Sequence, residues 1–590
     1  MGPIDLDRGV DRLCADRPTA TIPMMARFCW FALPVLALAC GSGDGGSNTD
    51  AGMVGHDSRT PAPRLLVEPA VDQLITVGVG QTMPTVEYTA TLGGEPIDVS
   101  WRINRGEVGT VAEGPSASTI FTPSGQAGGV VLLYASAAND VIERRILVQL
   151  ESTQNGPSSS PAEQAQIPEN VADLTAGGGV GGVGGEGLGP EVVDAPTLAA
   201  LDAPSGDGSA QNLALIYPYD GTVWPRGLLA PLLQWRWSIG DADAIKIEMT
   251  TAGGSYSYSG TFARPAILTQ TGGDFIRHPI PQDAWAQATD TAGGSTLSGD
   301  PDTLKVRLTI AKDGVGYGPI EQTYRIAPAR LTGTVYYQSS GTNLAKNDSG
   351  AVGGDGTFGG AVLSIKVGDD APQLTAGSSG SEDNCRVCHS VAADGSRLVA
   401  QSQSETYGVT ITPAMINEAL LSNQADFPGM TPDGAFALTS NAELLDLSNG
   451  GATVATTGLT TVADRVGTPA FSPSGAKLAF NPMRGDGVAT PAQSLMDMDY
   501  DSSTQTFSNP VEVLETSADP AETRPGWPAY FPTNDSIVYQ QQIAAGGDGN
   551  GHGDLRTRKG AKAYLAWTHT CLLYTSPSPR DSLHNLVFPH

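Results

Sequence analysis

Short runs of alternating apolar and polar residues recur along the chain from about Arg64 onward. Between Arg64 and Leu150 they read VEYTATL (86–92), IDVSWRI (97–103), STIFTP (118–123), GVVLLYASA (129–137) and IERRILVQL (142–150). A period of two sends alternate side chains to one face of a strand. With turn signals every ~8–12 residues, the pattern predicts a β-sandwich over 63–152, with Trp101 in its core. A second set, LLQWRW (232–237), IKIEMTT (245–251), TLKVRLTI (303–310) and EQTYRI (321–326), predicts another sandwich over 212–329. Its Trp224, Trp235 and Trp237 read as core or edge aromatics rather than a carbohydrate platform. Between the two, 153–211 is rich in Ser, Pro and Gly and contains GGGVGGVGGEGLGP (177–190), which predicts a linker.

From about Leu331 a repeat takes over. HSVAADGSRLVA (389–400), PGMTPDGAFALT (428–439), PAFSPSGAKLAF (469–480) and PAYFPTNDSIVY (528–539) align. The pairs Asp394-Gly395, Asp433-Gly434, Ser474-Gly475 and Asn534-Asp535 suit tight turns between two strands. Each interval is about one four-stranded blade long, with an insertion in the last. The pattern resembles the TolB-type, WD40-like repeat of β-propellers, in which the inner strand enters that turn. The resemblance covers 330–570, and the sandwiches resemble immunoglobulin-like or fibronectin-like domains in pattern only. The fold class is therefore all-β: two sandwich modules followed by a propeller. From Cys571 the text CLLYTSPSPRDSLHNLVFPH loses the repeat and resembles a translated sequencing-adapter tail. On that reading 571–590 is non-native and the propeller is truncated.

Composition narrows the partners. Hydrophobic residues are 40 % of the 590, enough for real cores, while Gly (73) and Pro (42) favour turns over long helices. The formal net charge is −29. Such a polyanion is a poor ligand for nucleic acid, whose binding rests on cationic contacts to phosphate, and for anionic lipid headgroups.

The amino-terminal region reads as an address. Phe28–Ala39 is an apolar run preceded by Arg27, too short for a spanning helix of about 20 residues. Leu36-Ala37-Leu38-Ala39-Cys40 resembles a bacterial lipoprotein signal, although the preferred Leu three before the cysteine is Ala37 here. The resemblance implies a signal peptide over 24–40, acylation of Cys40, and a tether over 41–62. An ordinary cleaved secretion signal is the alternative. The expected place is the cell envelope, at the periplasmic face or outer membrane, held to the membrane by the lipid anchor alone.

Six cysteines are present. Cys14 and Cys29 precede the cleavage point, Cys40 is the lipid site and Cys571 lies in the doubtful tail. Cys385 and Cys388 remain, followed by His389. Cys385-Arg386-Val387-Cys388-His389 matches the attachment signature of c-type haem. Two thiols at that spacing add across two vinyl groups of one porphyrin edge, and the adjacent imidazole supplies a nitrogen to iron. Zinc would need two more ligands, and a thioredoxin-like pair would want a strand–motif–helix context. These readings and an inert pair stay open. By alignment, His389 takes the place of Pro428, Pro469 and Pro528 at the start of an inner strand. That puts the motif at one end of the propeller channel.

For a sixth iron ligand, Met483 and His552 are candidates, and an empty sixth site is equally allowed. Met430 aligns with Val391, Phe471 and Tyr530 and reads as core. Calcium is a weaker expectation, for Asp497, Asp499 and Asp501 or for the loop 548–554, whose oxygens lack a following acidic ligand. The first functional expectation is an exported, lipid-anchored protein with one covalent haem c, passing single electrons to a redox partner. The alternative is an envelope binding or scaffold protein with structural or no haem. An enzyme is the third reading, without an identifiable acid–base set.

Overall fold

The computed structural model describes residues 64–570, apart from 79–81, 138–139, 176–184, 294–302, 343, 346–358, 370–371, 378–385, 403–404, 426, 484–493, 515–523 and 545–561. The signal peptide, the tether, Cys40, Cys385, His552, the loop 548–554 and the tail 571–590 lie outside the described residues.

The described chain is mostly β, as its alternating runs dictate. In the first module Leu65–Glu68, Val86–Leu92, Ser118–Pro123 and Gly109–Thr110 form one sheet, with Glu95–Pro96 at its side. Val99–Ile103, Gly129–Ala137 and Asp140–Asn155 lie in the facing sheet. Trp101, Tyr88, Phe121, Leu133, Ile146 and Val148 are buried between them.

Two expectations change here. The facing sheet does not stop at the first module. Asp140–Asn155 is sixteen residues long, and its second half pairs in parallel with Tyr256–Ala263, from Leu150↔Tyr256 to Asn155↔Thr261. Both modules thus share one ten-stranded sheet. The described part of 153–211, expected as a linker, has secondary structure of its own. It carries helices Pro161–Gln164 and Ala195–Asp202, each capped by a side chain (Ser160, Asp194) with proline in the first turn. Leu188, Val192 and Leu201 are buried. The glycines here serve close packing: a Cβ on Gly189 would sit 1.8 Å from the Ala263 carbonyl oxygen. Composition alone cannot tell a glycine kept for freedom from one kept for proximity. The second module also holds a helix, Gln282–Ala292, burying Trp285. Trp235 and Trp237 are core, and Trp224 packs edge-on to Trp285 at 5.5 Å.

Among the described residues, five antiparallel sheets follow in chain order, each pairing neighbours in sequence. They are Thr334–Thr342 to Gln373–Ala376, Val387–Val391 to Ile416–Leu420, Gly429–Met430 to Ala452–Val454, Arg465–Phe471 to Thr506–Leu514, and Arg524–Tyr530 to Lys562–His569. In those residues the middle three have four strands and the outer two have three. Each consecutive pair of sheets shares its own apolar layer. Val362, Leu398 and Val409 fill the first, Val399, Met430 and Ala437 the second, Leu438, Leu478 and Phe480 the third, and Ala479, Ile537 and Tyr539 the fourth. This face-to-face stacking of successive meanders is a β-propeller.

The repeat turns fall as aligned, with one shift. Gly395, Gly434, Gly475 and Asn534 are the left-handed residues, and each donates its N–H to the carbonyl three residues back. The last turn is therefore Thr533-Asn534, not Asn534-Asp535. Asparagine tolerates the left-handed region, so it stands in for the glycine.

Candidate functional site

The first strands of sheets two to five surround one cavity of about 350 Å³. It is lined by the same four-residue stretch of each repeat: Cys388–Val391, Phe427–Met430, Thr468–Phe471, and Trp527 with Pro528. The alignment of His389 with Pro428, Pro469 and Pro528 is thus reproduced in space.

A shared backbone irregularity makes the cavity wall. Cys388, Phe427, Thr468 and Trp527 all have positive φ, between 45° and 52°. The strand register shifts at the same place in three sheets, between Val387 and Ser390, Gly467 and Ala470, and Gly526 and Ala529. In a regular strand neighbouring side chains point to opposite faces. The left-handed residue breaks that alternation, so Cys388 and His389, though adjacent, line the same cavity. Each such non-glycine residue costs about 1–3 kcal/mol, and such strain gathers at functional sites.

Hydrogen bonds hold the strained positions. Trp527 N–H donates to Thr468 Oγ1 at 3.1 Å, and Thr468 Oγ1 donates to Asn481 Oδ1 at 3.1 Å. Buried Asn481 gives its amide hydrogens to the carbonyls of Ser494 (2.9 Å) and Pro525 (2.7 Å). Phe427 and Trp527 meet edge to face at 5.4 Å across the cavity wall. Gly429 is required by proximity, since a Cβ there would come 2.5 Å from the Pro469 carbonyl oxygen. Trp527 is 39 % exposed, which opens the cavity to solvent on that side.

Burial holds the His389 pKa below the ordinary imidazole value. Its ring is accordingly a neutral donor near pH 7, the form that binds metal. A thiol and a neutral imidazole on one wall, facing proline and aromatic side chains, suit the edge of an apolar macrocycle. Cys388 and His389 would hold it from this wall. Met430 also lines the cavity while its bulk packs into the layer between sheets two and three. Met483 ends the strand Lys477–Met483 with its methyl beside Gly467, and it is not among the lining residues.

Reading the sequence predicted none of the four left-handed positions and singled out only Cys388, for its thiol. The signal was there: Phe427, Thr468 and Trp527 each precede the repeat proline and align with Cys388. The acidic run DMDYD is engaged by a lysine ammonium of the neighbouring strand. Asp497 and Asp499 both accept from Lys477 Nζ, at 2.9 and 3.0 Å.

No protein-family model and no curated protein matches this chain. Among solved structures, it is similar to a candidate TolB from Agrobacterium tumefaciens, with 14 % identity and a TM-score of 0.26, covering 36 % of this chain and 70 % of that one. It is also similar to a candidate 6-phosphogluconolactonase from Bacteroides uniformis, with 12 % identity, TM-score 0.22, and 54 % and 95 % covered. A puromycin hydrolase variant matches with 11 % identity, TM-score 0.27, and 40 % and 42 % covered. Likenesses at this level carry no argument about activity.

Proposed function

We propose that this chain is an exported haem c protein, lipid-anchored through Cys40, that passes single electrons at the cell envelope. The observation that carries the reading is the shared cavity of Cys388 and His389, which completes the Cys-x-x-Cys-His signature with a pocket of ligand size. In this reading Cys385 and Cys388 would hold the haem through two thioether bonds and His389 would give a nitrogen to its iron. The bound haem would supply one-electron chemistry at its iron. His389 offers a neutral nitrogen, its proton affinity lowered by burial. Phe427, Pro428, Pro469 and Pro528 line the site with apolar surface, while the half-exposed Trp527 stands at its solvent side. The partner is a redox protein or another envelope component.

The test is a pyridine haemochrome spectrum with an SDS-resistant haem stain. The chain is exported from a host with haem c maturation machinery, beside a Cys385→Ala/Cys388→Ala control. Covalent haem that disappears in the control supports the reading. A folded, exported protein without haem overturns it. The aromatic and proline wall would then favour the second reading, a propeller binding or scaffold protein, because such walls are typical of ligand pockets.

A further inference from the structure

Arg386 lies between the two cysteines of the motif. A residue there needs only to span the gap, and arginine is almost never fully buried unless paired. Its side chain is nevertheless completely buried, with Nε 2.6 Å from Glu418 Oε1. The guanidinium carbon lies 3.4 Å from the centre of the Tyr407 ring. The Glu418 carboxylate is equally buried and also accepts the Gly377 N–H, at 3.1 and 3.2 Å. The Arg386 backbone is held as well. Its N–H donates to the Gly360 carbonyl at 3.0 Å, and its carbonyl accepts from Gln338 Nε2. Gln338 and Gly360 belong to the first propeller sheet, and Gly377 directly follows it; Tyr407 and Glu418 belong to the second. Arg386 is thus gripped from two blades at once.

A buried ion pair is weak grounds for a gain in stability, because desolvation offsets its attraction. What it supplies is position. We infer that Arg386, acting through Glu418 and Tyr407, is a positioning residue that fixes the segment bearing Cys388 and His389 against the axial cavity. The inference rests on reading that motif as the haem site. Lysine cannot replace it, since only the planar guanidinium both stacks on Tyr407 and directs an N–H at the carboxylate.

The test compares Arg386→Gln, Arg386→Lys and Glu418→Gln with Asp497→Asn, which disturbs the ion pair of a buried carboxylate with half-buried Lys477 elsewhere in the propeller. One arm measures the midpoint potential and visible spectrum of the haem-loaded full chain. The other measures alkylation of Cys388, resolved by peptide mass spectrometry, in the reduced full chain made without haem maturation machinery. Arg386→Gln and Glu418→Gln should raise the Cys388 alkylation rate about tenfold or more, as local opening becomes easier, and shift both potential and spectrum. Arg386→Lys should not restore the wild-type values. Asp497→Asn should leave the alkylation rate and the spectrum near wild type. Equal responses in all variants would reduce the pair to general stability and overturn the inference. So would an unchanged alkylation rate. If Arg386→Gln fails to fold, Glu418→Gln, which keeps the acceptor oxygen, decides. If wild type carries no haem, the functional reading fails, while the alkylation arm still judges Arg386.

Discussion

Tyr530 and Asp497 are joined across the boundary between the fourth and fifth propeller sheets, the phenol donating to the carboxylate Oδ1. Burial, and then the adjacent carboxylate, push the Tyr530 pKa far up, so the phenol stays protonated and remains a donor. The same carboxylate accepts from Lys477 Nζ at 2.9 Å. Burial works against the Lys477 ammonium, but Asp497 and Asp499 outweigh it and hold its pKa above the ordinary value. The fifth sheet is therefore tied to the fourth by polar contacts as well as by its apolar layer. Tyr530→Phe keeps the ring and removes one donor from a buried charge. The expected loss is about 1–3 kcal/mol, read by urea denaturation of the folded chain. An unchanged midpoint would mean that the hydroxyl contributes nothing.

Gly189→Ala separates a flexible linker from a packed one. In a flexible segment the exchange should stabilise by about 0.4–1 kcal/mol, through the unfolded chain. Here the new Cβ would meet the Ala263 carbonyl at 1.8 Å, and Phe262 lies behind it. The backbone must shift, at a cost of about 1–3 kcal/mol or more. Thermal unfolding of the variant should start several degrees lower. A raised midpoint would restore the linker reading.

Asn481 should be a sensitive position although it does not line the cavity. It is fully buried and bridges sheets four and five through Pro525, while holding Thr468 at the cavity wall. Asn481→Leu matches its size roughly but leaves the Ser494 and Pro525 carbonyls without their donor. A loss of about 2–4 kcal/mol follows from two unsatisfied buried groups. Trp527 fluorescence should also shift, since its backbone rests on the same network.

How much of this was open to reading follows from where the determinants lie. The propeller was legible because its turns and prolines recur at blade intervals, and the repeat register alone brought His389 beside Pro428, Pro469 and Pro528. The helix Gln282–Ala292 was overlooked although Ala284, Ala288 and Ala292 recur at helical spacing and are buried. The fused sheet was not legible, because parallel pairing of Leu150 with Tyr256 joins residues with no local signature. The partner of Arg386 is hidden for the same reason: Glu418 is 32 residues away, on an outermost strand. Nothing in a five-residue motif reveals that its middle is anchored. Met430 shows the limit of a two-way choice between core and cavity, since it belongs to both.

His278 should give the shared sheet region a distinct acid sensitivity. It is completely buried against Phe262, 4.7 Å between ring centres, and Phe275. Its Nε2 accepts the Gly189 N–H at 3.0 Å, which requires the neutral ring. Burial lowers its pKa from 6.5 to about 3. The unfolded chain therefore takes up a proton below about pH 6.5 that the folded chain refuses until about pH 3. In that window the unfolded state binds more protons, so stability rises with pH and is lost as pH falls. The contribution is complete above pH 6.5 and declines by about 1.4 kcal/mol per pH unit below it. Urea denaturation at pH 4, 5, 6 and 7 measures the slope for wild type and for His278→Phe. The variant should be less stable at pH 7, having lost the acceptor for Gly189, yet show a slope shallower by about one proton. Parallel slopes in the two proteins would show that His278 titrates alike in both states, contrary to its burial.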